Sequence, residues 1–142
     1  LERPIQHRVF GLDRSPGLVE GVLGAGPVGL PVTASLDVLP AGEWRPGDGV
    51  GFEAEAFQEA LRSWRGLYTY TLFDLPSLES GGESLRLAGV LDGMILVLQA
   101  ERTRWADAAQ ARERLLRAGA SVLGAVLNRQ IEWVPRALRH LL

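Results

Sequence analysis

The stretch Tyr68–Ala100, YTYTLFDLPSLESGGESLRLAGVLDGMILVLQA, carries the strongest fold signal in the chain. Its residues Tyr70–Phe73 are aromatic and β-branched, which predicts a buried strand that ends on the carboxylate of Asp74. A helical segment over about residues 84–91 follows, and then a second apolar strand, Met94–Leu98. A strand, a crossover helix and another strand predict a right-handed βαβ unit and therefore a parallel sheet.

Five further elements are predicted on either side of this unit. They are a short strand (Ser35–Leu39), an amphipathic helix (Phe52–Arg65), a second helix (Arg104–Ala118), a strand (Ser121–Leu127) and a terminal helix (Trp133–Leu142). Strands that alternate with helices are typical of α/β proteins. We therefore expect one Rossmann-like, three-layer α/β domain with a mainly parallel sheet over residues 1–142.

Helical spacing also predicts which side chains of the two long helices face the core. In the first helix these are Ala56, Phe57, Ala60, Leu61 and Trp64; in the second they are Trp105, Ala108, Ala111 and Leu115. Thr103 is the predicted N-cap of the second helix, and Gly119 is predicted to end it.

The composition limits the function classes. The chain has 142 residues and a net charge of −2, which argues against a nucleic-acid partner bound through bulk charge. It has no cysteine, which excludes a disulfide framework and a thiolate metal site. No apolar run reaches the ~18 residues of a membrane span and no signal peptide opens the chain, so we expect a cytoplasmic protein.

The absence of lysine bears on nucleotide binding. All fifteen lysine or arginine positions are arginine. The P-loop pattern G-x-x-x-x-G-K-[ST] needs a lysine that reaches the β- and γ-phosphates, so the chain by itself cannot build one. The same absence excludes Schiff-base chemistry and lysine-dependent kinases of the eukaryotic type.

A spaced set of acidic residues follows the first predicted strand. Asp74–Pro76 reads Asp-Leu-Pro, Glu83 lies nine residues after Asp74, and Asp92-Gly93 begins nine residues after Glu83. This pattern resembles the Walker B region of the MinD/ParA-type ATPases. It is most similar to that of the bacterial tyrosine autokinases, or BY-kinases, of capsule and exopolysaccharide export. It departs from theirs at Leu75, Ser77 and Glu83, where threonine, proline and aspartate are usual.

The first residues of the chain extend the resemblance. Leu1–Pro4, His7, Phe10–Leu12 and Pro16–Leu18 resemble the segment that follows the Walker A′ strand in BY-kinases. The chain therefore resembles the C-terminal two-thirds of that domain. The resemblance implies an incomplete deviant-Walker P-loop fold, whose P-loop strand, helix and Walker A′ aspartate would lie upstream of Leu1.

The resemblance implies three site residues. Asp74 corresponds to the Walker B aspartate, which holds Mg²⁺ together with nucleotide phosphates. Glu83 is a second-shell candidate, and Asn128, at the end of the last predicted strand, corresponds to the asparagine that binds adenine. The alternatives are a turn-capping Asp74, a solvated Glu83 and an Asn128 that only shapes a turn.

The resemblance also implies a function. We expect a catalytically silent or incomplete BY-kinase-like domain that regulates polysaccharide polymerisation and export. Its partner would be a membrane-embedded chain-length or co-polymerase protein, which would hold it at the inner face of the membrane. By itself the chain would need no cofactor; ATP and Mg²⁺ would bind only with an upstream P-loop. The alternative is a fragment of an active autokinase or MinD/ParA-like ATPase.

Two consequences concern tyrosines and assembly. The family phosphorylates a C-terminal tyrosine cluster, whereas the only tyrosines here are Tyr68 and Tyr70, which we expect to be packed. In the family the P-loop strand lies between the Walker B strand and the strand that follows it. Without it, Tyr70–Phe73 and Met94–Leu98 would flank a slot with unpaired backbone groups. An upstream segment, a partner chain or a second copy fills this slot, or the two strands close up directly.

Overall fold

The computed structural model of the protein describes residues 4–22, 29–43, 54–80 and 82–131. The chain divides into two compact units, Leu1–Asp74 and Leu75–Leu142, which we call the N-terminal and C-terminal units. The expectation of a single domain over residues 1–142 stays a prediction. The predicted terminal helix, Trp133–Leu142, lies outside the described residues.

The N-terminal unit combines short helices, a hairpin and one long helix. Its elements are α1 (Gln6–Phe10), α2 (Leu18–Glu20), β1 (Leu30–Thr33), β2 (Leu36–Val38) and α3 (Ala54–Leu67). The predicted strand at Ser35–Leu39 is confirmed as β2. It pairs antiparallel with β1, with Leu30 opposite Val38, so this strand belongs to a hairpin and not to the parallel sheet.

The amphipathic helix is confirmed as α3. Its predicted inner side chains Phe57, Ala60, Leu61 and Trp64 are all buried. Ala56 is exposed, so its predicted burial is wrong. At 100° per residue, Ala56 falls outside the stripe that the four buried side chains form.

The C-terminal unit contains the parallel sheet. Its elements are α4 (Glu83–Ala88), β3 (Met94–Gln99), α5 (Trp105–Arg117) and β4 (Val122–Asn128). β3 and β4 pair in parallel, from Met94 beside Val122 to Gln99 beside Asn128. The predicted α/β class with a parallel sheet is therefore confirmed. The predicted βαβ unit joined Tyr70–Phe73 to Met94–Leu98 through the helix at residues 84–91. The structure instead joins β3 to β4 through α5.

The predicted strand at Tyr70–Phe73 is wrong. These residues are assigned to no helix or strand, and the described part of the chain offers them no ladder partner. Tyr70 is 85% exposed and Leu72 is 91% exposed, so the expected packing of Tyr70 is also wrong; Tyr68 is half-buried. A high β-propensity means that the side chains of a segment suit a pleated surface. The segment becomes a strand only where another strand completes its backbone hydrogen bonds.

The predicted boundaries of α5 are nearly right, but its N-cap is not. Arg104 is the N-cap, and the Thr103 hydroxyl instead accepts a hydrogen bond from the Gln99 backbone N–H at 3.0 Å. This bond closes the turn after β3. Gly119 ends the helix as predicted, in the left-handed region with φ of 85°. Trp105 is 87% exposed, so its predicted burial is wrong, since it is the first residue of the helix and lies beyond the core.

One apolar cluster holds the C-terminal unit together. Its buried members are Ala88, Leu115 and Ala120. The half-buried apolar side chains that surround them are Leu78, Leu85, Met94, Leu96, Ala118 and Val122. Leu115, which the helical spacing predicted, is only 2% exposed. Among the described residues, no helix is both long and apolar enough to cross a membrane.

Candidate functional site

Asp74 follows a segment that a single aromatic side chain anchors. The ring of Phe73 lies 5.7 Å from that of Phe57 and 5.8 Å from that of Trp64, between centroids. Phe57 and Trp64 are buried on α3 and also pack edge-to-face with each other, at 6.3 Å. Because edge-to-face and tilted aromatic pairs add stabilisation beyond their area, this trio fixes the backbone next to Asp74 without a ladder.

The Asp74 carboxylate is exposed and has one described side-chain partner. The side-chain amide of Gln6, in the first turn of α1, donates a hydrogen bond to Asp74 Oδ2 at 2.6 Å. The two residues lie 68 positions apart in the chain, so this contact closes a long loop. It also brings the segment that resembles the Walker A′ tail to the residue that resembles the Walker B aspartate.

The donor set around Asp74 fits a cation that is shared with phosphates. No group of three or more His, Cys, Asp or Glu side chains that could hold a metal occurs in the described ranges. Mg²⁺ in nucleotide sites uses one or two carboxylates together with phosphate oxygens and water. Asp74 can supply one such oxygen, and its partner Gln6 is a neutral donor that brings no competing positive charge.

Glu83 is the first residue of α4 and follows the N-cap Gly82. Its role as a second-shell residue stays a prediction, since its side chain lies outside the described atoms. Its neighbour Ser84 was missed by the sequence analysis. Ser84 is buried, and its hydroxyl donates to the Pro76 carbonyl at 2.8 Å, which ties the start of α4 to Pro76.

Asn128 ends β4 beside Gln99, and its side chain is turned to its own backbone. The Oδ1 atom accepts a hydrogen bond from the Arg129 N–H at 2.7 Å, and Arg129 has φ of 57°. The Asn128 carbonyl accepts from Ala100 N–H at 2.8 Å. This is the geometry of a strand-end turn. The adenine-binding role of Asn128 stays a prediction.

A second polar centre, around Glu20, was also missed. Its carboxylate accepts hydrogen bonds from the Ser15 hydroxyl and from the backbone N–H groups of Gly17 and Glu43, all at 2.9 Å. Burial alone would raise the pKa of Glu20, but backbone N–H groups, with the Ser15 hydroxyl, outweigh it and lower the pKa to about 2. The signal for this centre in the sequence is the capping-box spacing from Gly17 to Glu20.

Several bacterial tyrosine kinases are similar in sequence to this chain. The chain is 29% identical over 132 residues to the tyrosine-protein kinase YwqD of Bacillus subtilis (strain 168). The match covers 90% of this chain and 56% of YwqD. It is 27% identical over 99 residues to the tyrosine-protein kinase CpsD of Streptococcus agalactiae serotype Ia, with 70% of this chain and 43% of CpsD covered. The chain is a relative of the bacterial tyrosine kinases.

Other comparisons agree with this relationship to the bacterial tyrosine kinases. CapB of Staphylococcus aureus is 25% identical over 133 residues, which cover 91% of this chain and 58% of CapB. The crystal structure of the chimerical protein CapA2B2 superposes with a TM-score of 0.74 and 22% identity. The superposition covers 92% of this chain and 59% of the CapA2B2 chain, and it supports the α/β fold. No protein-family model matches the chain.

The chain spans about half the length of the curated kinases that it matches. The matches to YwqD and to CapB cover nine-tenths of this chain, so they include most of the segment around Asp74. The resemblance predicted from the acidic motif is thus confirmed at the level of relationship to bacterial tyrosine kinases. The roles of individual residues in those kinases are a separate question.

Proposed function

We propose that residues 1–142 are part of a BY-kinase-like domain that regulates the polymerisation and export of capsule or exopolysaccharide. By themselves they are catalytically silent. The observation that supports this proposal is the similarity to YwqD over 90% of the chain, in a sequence that has no lysine. The Asp74 motif is retained, but the chain has no lysine with which to bind the β- and γ-phosphates.

Asp74 has the central role in this proposal. Its exposed carboxylate supplies one oxygen ligand to Mg²⁺, and the aromatic anchor at Phe73 holds the backbone beside it. Mg²⁺, when bound, neutralises the charge of nucleotide phosphates. Because Mg²⁺ keeps most of its water and binds proteins weakly through one carboxylate, Asp74 needs the phosphates of a bound nucleotide to complete the site.

Two further residues have roles in the same proposal. Glu83, at the start of α4, would be a second-shell residue of this site and would not itself bind the metal. Asn128 contacts adenine from the end of β4. Its Oδ1 already accepts a bond from Arg129, so the NH₂ group of Asn128 is the part available to a base acceptor.

The partner in this proposal is a membrane-embedded co-polymerase that sets polysaccharide chain length. The domain would lie on the cytoplasmic side of the membrane, held there by this partner. The resemblance to BY-kinases of capsule and exopolysaccharide export supports this part of the proposal. Co-purification with a membrane-embedded polysaccharide co-polymerase would support it, and co-purification with an unrelated division-site protein instead would contradict it.

Isothermal titration calorimetry with Mg·ATP tests the silent state. We expect residues 1–142 to release no binding heat at micromolar nucleotide concentrations. An Asp74→Asn variant is the control, because it removes the charge of the carboxylate without changing its shape. Micromolar binding by the unsubstituted chain that Asp74→Asn removes would overturn the silent state and would support an active site centred on Asp74.

A second candidate is a segment of an active tyrosine autokinase, or of a MinD/ParA-like ATPase, whose P-loop lies upstream of residue 1. The similarity to proteins named as tyrosine kinases over most of this chain favours it. The coding sequence upstream of Leu1 decides between the two. If it encodes G-x-x-x-x-G-K-[ST], and the extended chain binds Mg·ATP, the active candidate replaces the silent one.

A further inference from the structure

The hydrogen bond between Gln6 and Asp74 joins two parts of the candidate site. Gln6 Nε2 donates to Asp74 Oδ2 at 2.6 Å, a short distance for an N–H donor on a carboxylate. Gln6 is the first residue of α1, whose C-terminal end is closed by Gly11 in the left-handed region. The amide therefore projects from a short helix with a defined end, and the carboxylate follows a segment that Phe73 anchors.

The chemical type of the donor is informative. An arginine or lysine at position 6 would neutralise the carboxylate and compete with a cation for it. A glutamine amide orients the carboxylate through one oxygen and leaves its full negative charge. Hydrogen bonds of this kind from neutral groups orient metal-binding carboxylates in many proteins, and their loss weakens metal binding.

We propose that Gln6 is a positioning residue for Asp74 and that it holds this carboxylate in the orientation that accepts a divalent cation. This inference rests on the proposed role of Asp74 as a magnesium ligand. It adds a residue that the acidic motif does not include and that lies on a different element, α1. Gln6 acts through Asp74 and does not itself touch the cation.

Manganese titration monitored by NMR tests this inference, because Mn²⁺ prefers the same oxygen ligands as Mg²⁺ and broadens nearby signals. Because one carboxylate without phosphates binds a divalent cation only weakly, we expect the backbone amide signal of Asp74 to broaden only at high Mn²⁺ concentrations. In Gln6→Ala the midpoint should rise on the order of 10-fold, the lower end of the effect of losing such a hydrogen bond. Gln110→Ala, a change at an exposed glutamine of α5, should stay within about 2-fold.

A second variant gives an independent readout. Gln6→Glu places a second carboxylate beside Asp74, so it should lower the Mn²⁺ midpoint because two acidic groups then share the cation. A purely structural role for Gln6 does not explain a weaker site in Gln6→Ala together with a tighter one in Gln6→Glu. A midpoint that neither Gln6→Ala nor Gln6→Glu shifts would show that position 6 does not act on the cation site of Asp74, and would overturn the inference.

The Asp74→Asn variant separates the two proposals. If Asp74→Asn abolishes the broadening while Gln6→Ala changes the midpoint by less than about 2-fold, the positioning role is overturned and the metal role of Asp74 is supported. If Asp74→Asn leaves the broadening unchanged, Mn²⁺ binds elsewhere. That result would overturn the metal role of Asp74 and the positioning role of Gln6 together.

Discussion

Tyr70–Phe73 and Met94–Gln99 are both rich in strand-forming residues, yet only the second forms a strand. Met94–Gln99 is β3, and it pairs in parallel with β4 along its whole length. Tyr70–Phe73 has no ladder among the described residues, and its Leu72 side chain lies almost entirely in solvent. The difference shows that strand-forming residues are not sufficient for a strand. A neighbouring strand that pairs with the segment decides whether a strand forms.

The two segments are also held by different forces. A ladder of backbone hydrogen bonds and the buried Leu115 of α5 hold β3 in place. One half-buried ring, Phe73, against the aromatic side chains of α3 holds the segment before Asp74. The first two of the three changes below test this contrast, and the third tests the polar centre around Glu20.

Leu115→Ala should have the largest effect. Leu115 is almost fully buried in the apolar cluster that α5 shares with the sheet. Its truncation leaves a cavity, so we expect the free energy of unfolding to fall by about 2–5 kcal/mol in urea denaturation. Leu116→Ala, at the exposed neighbouring position, should cost less than about 0.5 kcal/mol. Equal losses in the two variants would contradict the assignment of Leu115 to the core.

Phe73→Ala should have an intermediate effect. Phe73 is half-buried, so its loss should cost about 2 kcal/mol, less than the ~3–5 kcal/mol of a fully buried phenylalanine. The matched control is Leu72→Ala, where the side chain is exposed and the change should be nearly neutral. If Leu72→Ala proved the more costly change in thermal or urea unfolding, Leu72 would be packed, as in a strand.

Glu20→Gln should have the smallest effect, and the effect should depend on pH. The pKa of Glu20 is about 2 in the folded chain against an ordinary value of 4.5. Its stabilisation is therefore complete above pH 4.5 and is lost as the pH falls toward 2. Because the carboxylate is partly exposed, we expect a loss of only about 1 kcal/mol at pH 7.

The control for this change is Glu79→Gln, at an exposed glutamate. Unfolding curves at pH 7 and near pH 2 should show a difference between Glu20→Gln and the unsubstituted chain at the higher pH only. A difference that persists undiminished at the lower pH would mean that the hydrogen bonds of Glu20 do not require its charge.

Much of the C-terminal unit could be predicted from local pattern. β3, α5 and β4 follow from apolar runs and helical spacing, and the parallel pairing follows from the helix between the strands. The buried side of α3 follows in the same way. Trp105 and Thr103 could not be placed correctly, because side chains at the end of a helix are decided by what the adjoining turn offers and not by periodicity.

The sequence by itself identified Asp74 as a candidate site residue, showed that the chain has no lysine and revealed the relationship to bacterial tyrosine kinases. Each of these depends only on residue identity and spacing. Only the tertiary structure decided that the segment before Asp74 is not a strand and that Gln6 reaches its carboxylate. The physical reason is that ladders and side-chain hydrogen bonds need partners from distant parts of the chain. Such partners are set by folding and leave no local pattern at either residue.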